Sequence, residues 1–192
     1  MFTFAEPSEA QIKGFLEQQK GFPFSYAEVG ASKDSIPGNY PINHHRVQIG
    51  SGADVFARAK TAVQSWTMYN LEWTKLYPPE TPIAADEVVA VIVNHQFCWS
   101  LNPCRIVYVL EEEGAIERFG FAFGTLPGHS ETGEERFTVE WRPDDNTVWY
   151  ELLAFARPQH ILAKIGSPFV RIVQRKFAED SGRAMLRSVG EN

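Results

Sequence analysis

Hydrophobic and polar residues alternate with a period of two across residues 137–141, which is typical of a strand with one buried face. Turn-forming residues follow at 143–146, where proline fixes φ and Asp and Asn can bond back to the backbone. Residues 147–156 then combine aromatic and branched side chains with a single charge. We therefore predict two paired strands, the second of them buried on much of both faces.

Beyond these strands the apolar residues recur every three or four positions, which predicts a long C-terminal helix. Ser167 suits the N-cap and Pro168 the first helical position, after a short helical turn at residues 159–165. A helix running unbroken to Val189 would be about 30 Å long, although Gly182 could mark a bend. The side chains expected between this helix and the sheet are Trp141, Trp149, Phe155, Val173 and Phe177.

Shorter patterns earlier in the chain predict two more helices and the rest of a sheet. Ser8 begins an N-terminal helix, and residues 22–41 form an ordered covering segment rich in turn-forming residues. A second helix is predicted over residues 52–73, with Ser51 as its N-cap. The other predicted strands are residues 45–49, 87–95, 104–111 and 116–125.

The order of these elements is strand, helix, five strands and long helix, and short connections favour antiparallel neighbours. We therefore predict an α+β fold in which a curved antiparallel sheet of five to six strands grips the C-terminal helix. This order looks like that of the Bet v 1 or START-like superfamily, whose helix-grip fold usually has a cavity between sheet and helix. A flat sheet with two packed helices is the alternative. Residues 1–42 would form the N-terminal helix and covering segment and residues 43–192 the helix-grip domain, together one compact unit.

Composition and net charge limit the kinds of molecule that the protein is expected to bind. The chain is 44% hydrophobic and 22% charged, as expected for a protein with a substantial core. Its net charge of −6 argues against nucleic-acid binding, although seven Lys/Arg against three Asp/Glu from Arg157 onward make the C-terminal part basic. No apolar run reaches the roughly 18 residues that a transmembrane helix needs. The N-terminus lacks signal-sequence character and the chain has 2 cysteines, so we expect a cytoplasmic protein.

Motifs for cofactors and metals are missing from the sequence. His44, His45, His95 and His160 have no metal-ligand spacing between them, and Cys98 and Cys104 do not form a C-x-x-C pair. The glycine patterns of dinucleotide and phosphate sites and the G-x-S-x-G pattern of many hydrolases are also missing. We therefore expect no metal and no cofactor.

The densest group of polar side chains lies on the glycine-rich stretch of residues 124–135, between two predicted strands. This backbone is free enough to bring His129 and its neighbouring carboxylates together, although a solvated hairpin is the simpler interpretation. Arg157 ends a buried strand, where it either pairs with a carboxylate such as Glu134 or binds an anion. Two aromatic strand residues complete the candidate ligand-binding set, which is His129, Glu131, Glu134, Arg157, Phe123 and Tyr150.

Three functions are compatible with these residues. We favour binding of a small apolar or amphipathic ligand, because a helix facing aromatic strands can leave an apolar space and no catalytic spacing is present. The polar candidates would then orient the ligand at the mouth of the cavity. The second function is a small hydrolase or cyclase that uses His129 as general base with a carboxylate to orient it. The third is a structural or interaction domain whose basic C-terminal helix docks a partner.

Several segments, spread from about Phe24 to Val189, carry a resemblance to a known family. They are Phe24-Ser25-Tyr26, Arg105-Ile106-Val107-Tyr108, the glycine-rich run from Gly120 to His129, Gly133-Glu134-Glu135 and Arg157-Pro158. On these the chain resembles the family of unknown function 1990, also called UPF0548. Phe123 replaces the tyrosine and Ser130 the proline usual in its pattern, which removes one hydroxyl that could have been catalytic. The resemblance implies kinship and supplies no established activity or catalytic residues.

Overall fold

The computed structural model describes residues 1–159 and 167–190. Three helices, one 3-10 turn and eight strands make up this part of the chain. In chain order they are β1 (Phe2–Thr3), α1 (Glu9–Gln19), β2 (Ile42–Ser51), α2 (Ala53–Gln64), the 3-10 turn (Thr67–Tyr69), β3 (Thr74–Tyr77), β4 (Val88–Asn94), β5 (Trp99–Glu112), β6 (Glu117–Thr125), β7 (Glu131–Arg142), β8 (Thr147–Pro158) and α3 (Ser167–Val189). The helical turn predicted at residues 159–165 lies outside the described residues beyond position 159.

One antiparallel sheet contains all the strands, in the order β2-β8-β7-β6-β5-β4-β3, with β1 paired to β5. The five consecutive strands β4 to β8 form the predicted meander. The predicted α+β fold is therefore confirmed. The sheet has more strands than the five to six predicted, because β1 and β3 have only 2 and 4 residues, too few to show a period in the sequence.

Helix α3 crosses the inner, concave face of the sheet, where Ala178, Met185 and Val189 join the main core. It continues as a single helix through Gly182. A Cβ on Gly182 would lie only 3.0 Å from Nε2 of His45 and 3.2 Å from Cγ1 of Val47. The glycine therefore lets the helix approach β2 closely, which explains a residue that is otherwise unfavourable within a helix.

The second helix is shorter than predicted, because it ends at Gln64 where residue 73 was expected. Trp66 takes a left-handed conformation with φ of 55°, which an α-helix cannot contain. Its indole Nε1 donates a hydrogen bond of 2.7 Å to the Thr81 carbonyl, which holds the ring in the core. The prediction of Ser51 as N-cap was also wrong, since Gly52 occupies that position without a side-chain cap.

The outer face of the sheet is covered by the segment that follows α1. The side chains of Tyr26 and Tyr40 pack there on Phe155, with ring centroids 5.9 and 5.1 Å apart respectively. Trp149 also faces outward, 4.7 Å from the guanidinium of Arg46. The prediction that Trp149 and Phe155 face α3 was therefore wrong. Both faces of β8 are apolar, so its sequence alone could not show which face met the helix.

The other expected core residues do lie on the inner face. Trp141 and Phe177 pack against the main core, and Val173 lines the space between α3 and the sheet. The N-terminal helix begins as predicted, with a capping box formed by Ser8 and Gln11. The division into residues 1–42 and 43–192 stays a prediction.

Candidate functional site

A cavity of about 420 Å³ lies between the inner face of the sheet and α3. This volume is in the range of small-molecule sites, which is roughly 300–1,000 Å³. Most of its wall is apolar, and its larger apolar lining residues are Phe2, Tyr69, Trp73, Val91, Val93, Phe123, Val173 and Phe177. Polar side chains also line it, among them His95, Asn102, His129, Ser130, Glu131, Glu135 and Gln174. A mainly apolar space with a few polar groups can enclose an apolar molecule and fix its orientation.

Strand β7 supplies both carboxylates of the cavity. Side chains alternate between the two faces of a strand, and Phe137 and Val139 belong to the inner core. Glu131 and Glu135 have the same parity as these residues and line the cavity. Gly133 lies between them, where an added Cβ would collide with the Phe155 carbonyl, so a glycine lets β8 pass close to β7.

These two carboxylates have few hydrogen-bond donors among the described residues. Glu131 accepts 1 hydrogen bond of 2.6 Å from the amide of Gln174, and Glu135 accepts a long one of 3.5 Å from the Tyr69 hydroxyl. Burial raises the pKa of Glu131 to about 7, against the effect of the Gln174 bond. Burial also raises the pKa of Glu135 to about 8, and the nearby charge of Glu131 adds to the shift. Near neutral pH the pair therefore holds protons that ordinary glutamates would have released.

His129, one of the candidate ligand-binding residues, lines the cavity. Its Nδ1 accepts the backbone N–H of Glu131 at 2.9 Å, so this nitrogen carries no proton. Burial lowers the pKa of His129 to about 3, and the positive amine of Met1 contributes to the shift. The ring is therefore neutral with its proton on Nε2, an arrangement that suits a hydrogen-bond donor better than a general base.

Glu134 faces the opposite side of the sheet from its neighbour Glu135. Its carboxylate accepts hydrogen bonds from the Tyr26 hydroxyl at 2.5 Å, from the backbone N–H groups of Gly30 and Ser32 at 2.7 and 3.0 Å, and from the Ser32 hydroxyl. Although its backbone borders the cavity, this carboxyl group fastens the covering segment to the outer face. The expectation that Glu134 orients a ligand stays a prediction, although all of its hydrogen-bond donors among the described residues belong to the covering segment.

Two segments that carried the family resemblance meet beside this carboxylate. Tyr26 crosses β6 at Gly124, where an added Cβ would lie 2.2 Å from the tyrosine hydroxyl. The backbone N–H of Ser25 also donates to the Thr125 carbonyl at 2.9 Å. A glycine is required at position 124 because the covering segment passes so close to the strand.

The remaining candidate residues, Phe123, Tyr150 and Arg157, also differ in whether they line the cavity. Phe123 lines the cavity. Tyr150 is fully buried beside it in the core, with its hydroxyl 3.3 Å from that of Ser181, and it is not among the lining residues. Arg157 is exposed on the outer side, 4.7 Å from the ring of Tyr40, and the structure shows no ion pair between it and a described carboxylate. Neither of the expected roles of Arg157, a buried ion pair or a place at the cavity mouth, fits this position.

Sequence reasoning missed Glu135, Tyr69 and Gln174 as parts of the cavity. The alternation of residues 137–141 contained the signal for Glu135, because extending it toward the N-terminus places Glu135 inside and Glu134 outside. No local signal identified Tyr69 or Gln174, whose position depends on how the 3-10 turn and α3 cross the sheet.

Residues 1–159 and 167–190 lack two features that would indicate other classes of protein. Within these residues, no group of three His, Cys, Asp or Glu side chains is arranged to hold a metal ion. None of the helices in the same part of the chain is long and apolar enough to span a membrane.

The curved antiparallel sheet, the helix across it and the cavity between them place the protein in the helix-grip, START-like class of folds. Solved structures share this fold at low sequence identity. Human STARD10 matches with a TM-score of 0.50 and 10% identity, over 95% of this chain and 81% of that chain. The protein TTHA0849 of Thermus thermophilus matches with a TM-score of 0.50 and 12% identity, over 78% of this chain and 97% of that chain.

The chain belongs to the family described as domain of unknown function DUF1990, whose model matches residues 25–184. It is 34% identical to a UPF0548 protein of Dictyostelium discoideum, over 100% of this chain and 97% of the relative. A UPF0548 protein of Deinococcus radiodurans is 33% identical over 99% of this chain and 100% of the relative. A UPF0548 protein of Arabidopsis thaliana is 30% identical, with 97% of both chains covered.

Proposed function

We propose that this protein binds a small, largely apolar ligand in the cavity between the sheet and α3. The observation that carries the proposal is the cavity itself, about 420 Å³ in volume and lined mainly by apolar side chains. Concave, mainly apolar spaces of this size with a few convergent polar groups are the usual form of small-molecule sites. Binding of such a ligand would explain why these apolar side chains line a space and do not fill it.

The polar groups of the cavity would orient such a ligand. Glu131 and Glu135 have few partners among the described residues, and the Nε2–H of His129 is available to donate. Asn102 differs, because its side-chain oxygen accepts from the Ser130 hydroxyl at 2.8 Å and its nitrogen donates to the Val91 carbonyl at 3.2 Å. We assign Asn102 to positioning Ser130 and the other three to the polar end of the ligand.

Native mass spectrometry of the protein purified without added ligand tests this proposal. We expect a retained compound that solvent extraction recovers. Val173→Phe fills the cavity from α3 and should abolish retention, whereas Ile172→Phe adds the same ring at the neighbouring exposed position and should leave it intact. Equal retention by the two variants, or no retained compound and no binding of added alkyl compounds, would contradict the proposal.

A second candidate function is acid–base catalysis on a molecule held in the same cavity. The observation that favours it is the pKa of Glu135, which burial raises to about 8, within the range at which a carboxylic acid exchanges protons near neutral pH. Glu135 would take the role first considered for His129. A screen of esters, thioesters and enolisable carbonyl compounds tests this idea, since any turnover unchanged by Glu135→Gln would remove Glu135 from the chemistry.

The third function is docking of a partner by the basic C-terminal helix. Arg171, Arg175 and Arg187 are exposed on α3, as a solvated helix face would have them. This third function stays a prediction.

A further inference from the structure

The polar part of the cavity is acidic, and this property defines a ligand class. Glu131 and Glu135 both line the space, and no Lys or Arg is found among its described lining residues. Lys176, which is on the same helix as Gln174, is already bonded to Asp180 and lies 4.7 Å from the ring of Trp73. The cavity thus presents two carboxyl groups without a matching cation from the described part of the chain.

Aromatic rings line the same cavity as these carboxyl groups. Tyr69 contacts Phe123 and Phe177 with ring centroids 6.2 and 5.0 Å apart, and Trp73 contacts Phe177 at 6.3 Å. All four rings line the cavity. Aromatic faces attract cations through their quadrupole, most strongly where water is excluded. The aromatic walls and the two acids therefore favour the same kind of head group, which is a cation.

Three kinds of ligand head group can be compared at this end of the cavity. An anionic head would be repelled by the carboxyl groups once they are ionised and would find no positive side chain among the described lining residues. A neutral hydroxyl could bond to a carboxyl group but would not compensate its charge. A protonated amine would provide both the charge and the donors that Glu131 and Glu135 lack.

We infer that the cavity is specific for an organic cation, an amine with an apolar body, whose ammonium group binds between Glu131, Glu135 and the aromatic rings. This inference rests on the proposed function, because it names the head group of the ligand held in the cavity. Glu131 and Glu135 are the residues that distinguish such a ligand from a neutral one.

The other titratable side chains near the two acids are neutral near pH 7. Burial raises the pKa of Tyr69 on the 3-10 turn, Cys104 on β5 and Tyr150 on β8. Burial lowers the pKa of His129 and of His95, which also lines the cavity, and keeps both rings neutral. Gln174 is the partner of Glu131 on α3, and the Met1 amine is bonded to the carbonyls of Leu101 and Gly128. Glu131 and Glu135 are therefore the groups whose ionisation a bound cation would change.

The preference can be tested with octylamine, octanol and octanoate, which share one alkyl tail and differ in the charge of the head group. An alkylamine stays protonated near pH 8, as a lysine does, while the two acids are then largely free to ionise. By isothermal titration calorimetry at about pH 8, we expect octylamine to bind roughly 10- to 100-fold more tightly than octanol. Octanoate should bind most weakly.

Variants assign this preference to the two acids. In the double variant Glu131→Gln/Glu135→Gln, octylamine and octanol should bind with affinities within about threefold of each other. Glu179→Gln removes the same charge from the exposed side of α3 and should keep the full preference. Glutamine preserves the shape of each acid and removes a charge that is costly to bury, so the double variant should fold.

Lowering the pH supplies an independent readout. Between about pH 8 and pH 6 the acids take up protons, so octylamine should bind roughly tenfold more weakly while octanol is unaffected. Near pH 7, octylamine binding should release protons, detected by titration in buffers of different ionisation enthalpy. Octanol binding as tight as octylamine binding, or an amine preference that survives in the double variant, would overturn the inference and leave cavity binding in place. Failure of all three compounds to bind would overturn both proposals.

Discussion

The two faces of β7 carry carboxylates in opposite situations. On the outer face, Glu134 accepts four hydrogen bonds from the covering segment, and Glu140 is bonded by Arg46, Arg118 and Arg142, each at 2.7 Å. On the inner face, Glu131 and Glu135 have one donor each among the described residues, that of Glu135 being 3.5 Å away. A single strand thus provides fully bonded acids on one side and sparsely bonded acids on the other.

This difference separates structural carboxylates from candidate functional ones. At Glu140 burial favours the protonated form, but hydrogen bonds from Arg142 and Arg118 hold its pKa below the ordinary value. At Glu135 only the hydrogen bond from Tyr69 opposes the effect of burial, so the pKa rises above its ordinary value. A buried acid with enough donors holds the fold together, whereas one without them can still exchange a proton or accept a ligand.

Removing the best-bonded acid should have the largest effect. In Glu134→Ala the hydroxyl of Tyr26 and the N–H groups of Gly30 and Ser32 lose their acceptor, and each unsatisfied buried donor costs about 1–3 kcal/mol. We expect the free energy of unfolding in urea to fall by roughly 4 kcal/mol or more. Glu135→Gln, one residue along on the other face, is the matched control and should not destabilise the protein. A loss below about 1 kcal/mol for Glu134→Ala would show that the covering segment is held by other contacts.

Aromatic side chains on the two faces should also differ. Phe155 is fully buried on the outer face, so Phe155→Ala should reduce the free energy of unfolding by about 3–5 kcal/mol. Phe177 is half-buried at the cavity, so Phe177→Ala should cost less, about 1–3 kcal/mol. Equal losses in urea unfolding would show that the inner face is as tightly packed as the outer one.

The inner acids should make stability depend on pH in a defined direction. Their pKa values rise from 4.5 to about 7 and about 8 on folding, so the folded state holds more protons between these limits. The free energy of unfolding must therefore decrease as the pH rises from about 5 to about 8. Glu131→Gln/Glu135→Gln should flatten this slope and be more stable than the parent by roughly 1–3 kcal/mol near pH 8. Urea unfolding at several pH values measures the slope, and an unchanged slope in the double variant would assign it to other groups.

The smallest effect is expected at Arg157. Its guanidinium is exposed and lies over Tyr40, and exposed cation–π pairs contribute about 0.5–1 kcal/mol. Arg157→Ala should therefore lower the free energy of unfolding by less than about 1 kcal/mol and leave octylamine and octanol binding unchanged. A loss of binding would restore Arg157 to the cavity mouth.

How much the sequence could predict differs between the two faces of the sheet. The alternation of residues 137–141 and the spacing of apolar residues in α3 identified the inner core and the gripping helix, because both depend on local periodicity. Phe155 could not be placed, since β8 is apolar on both sides. The role of Glu134 depends on Tyr26 and Ser32, which are more than 100 residues away in sequence, and a pairing of that kind leaves no local pattern. Glu135 could have been found from parity, but the density of charge around His129 drew attention to Glu134.

Trp73 gives the cavity an optical property of its own. The indole lines the space, its Nε1 donates to Asp180 at 3.0 Å and the ammonium of Lys176 lies 4.7 Å from its ring. Indole emission responds to the polarity and charge around the ring. A compound that displaces water beside Trp73 should therefore shift the wavelength of maximum tryptophan fluorescence. Trp149, on the outer face, should be insensitive to the same event. Ligand binding could therefore be followed by the intrinsic tryptophan fluorescence of the unlabelled protein.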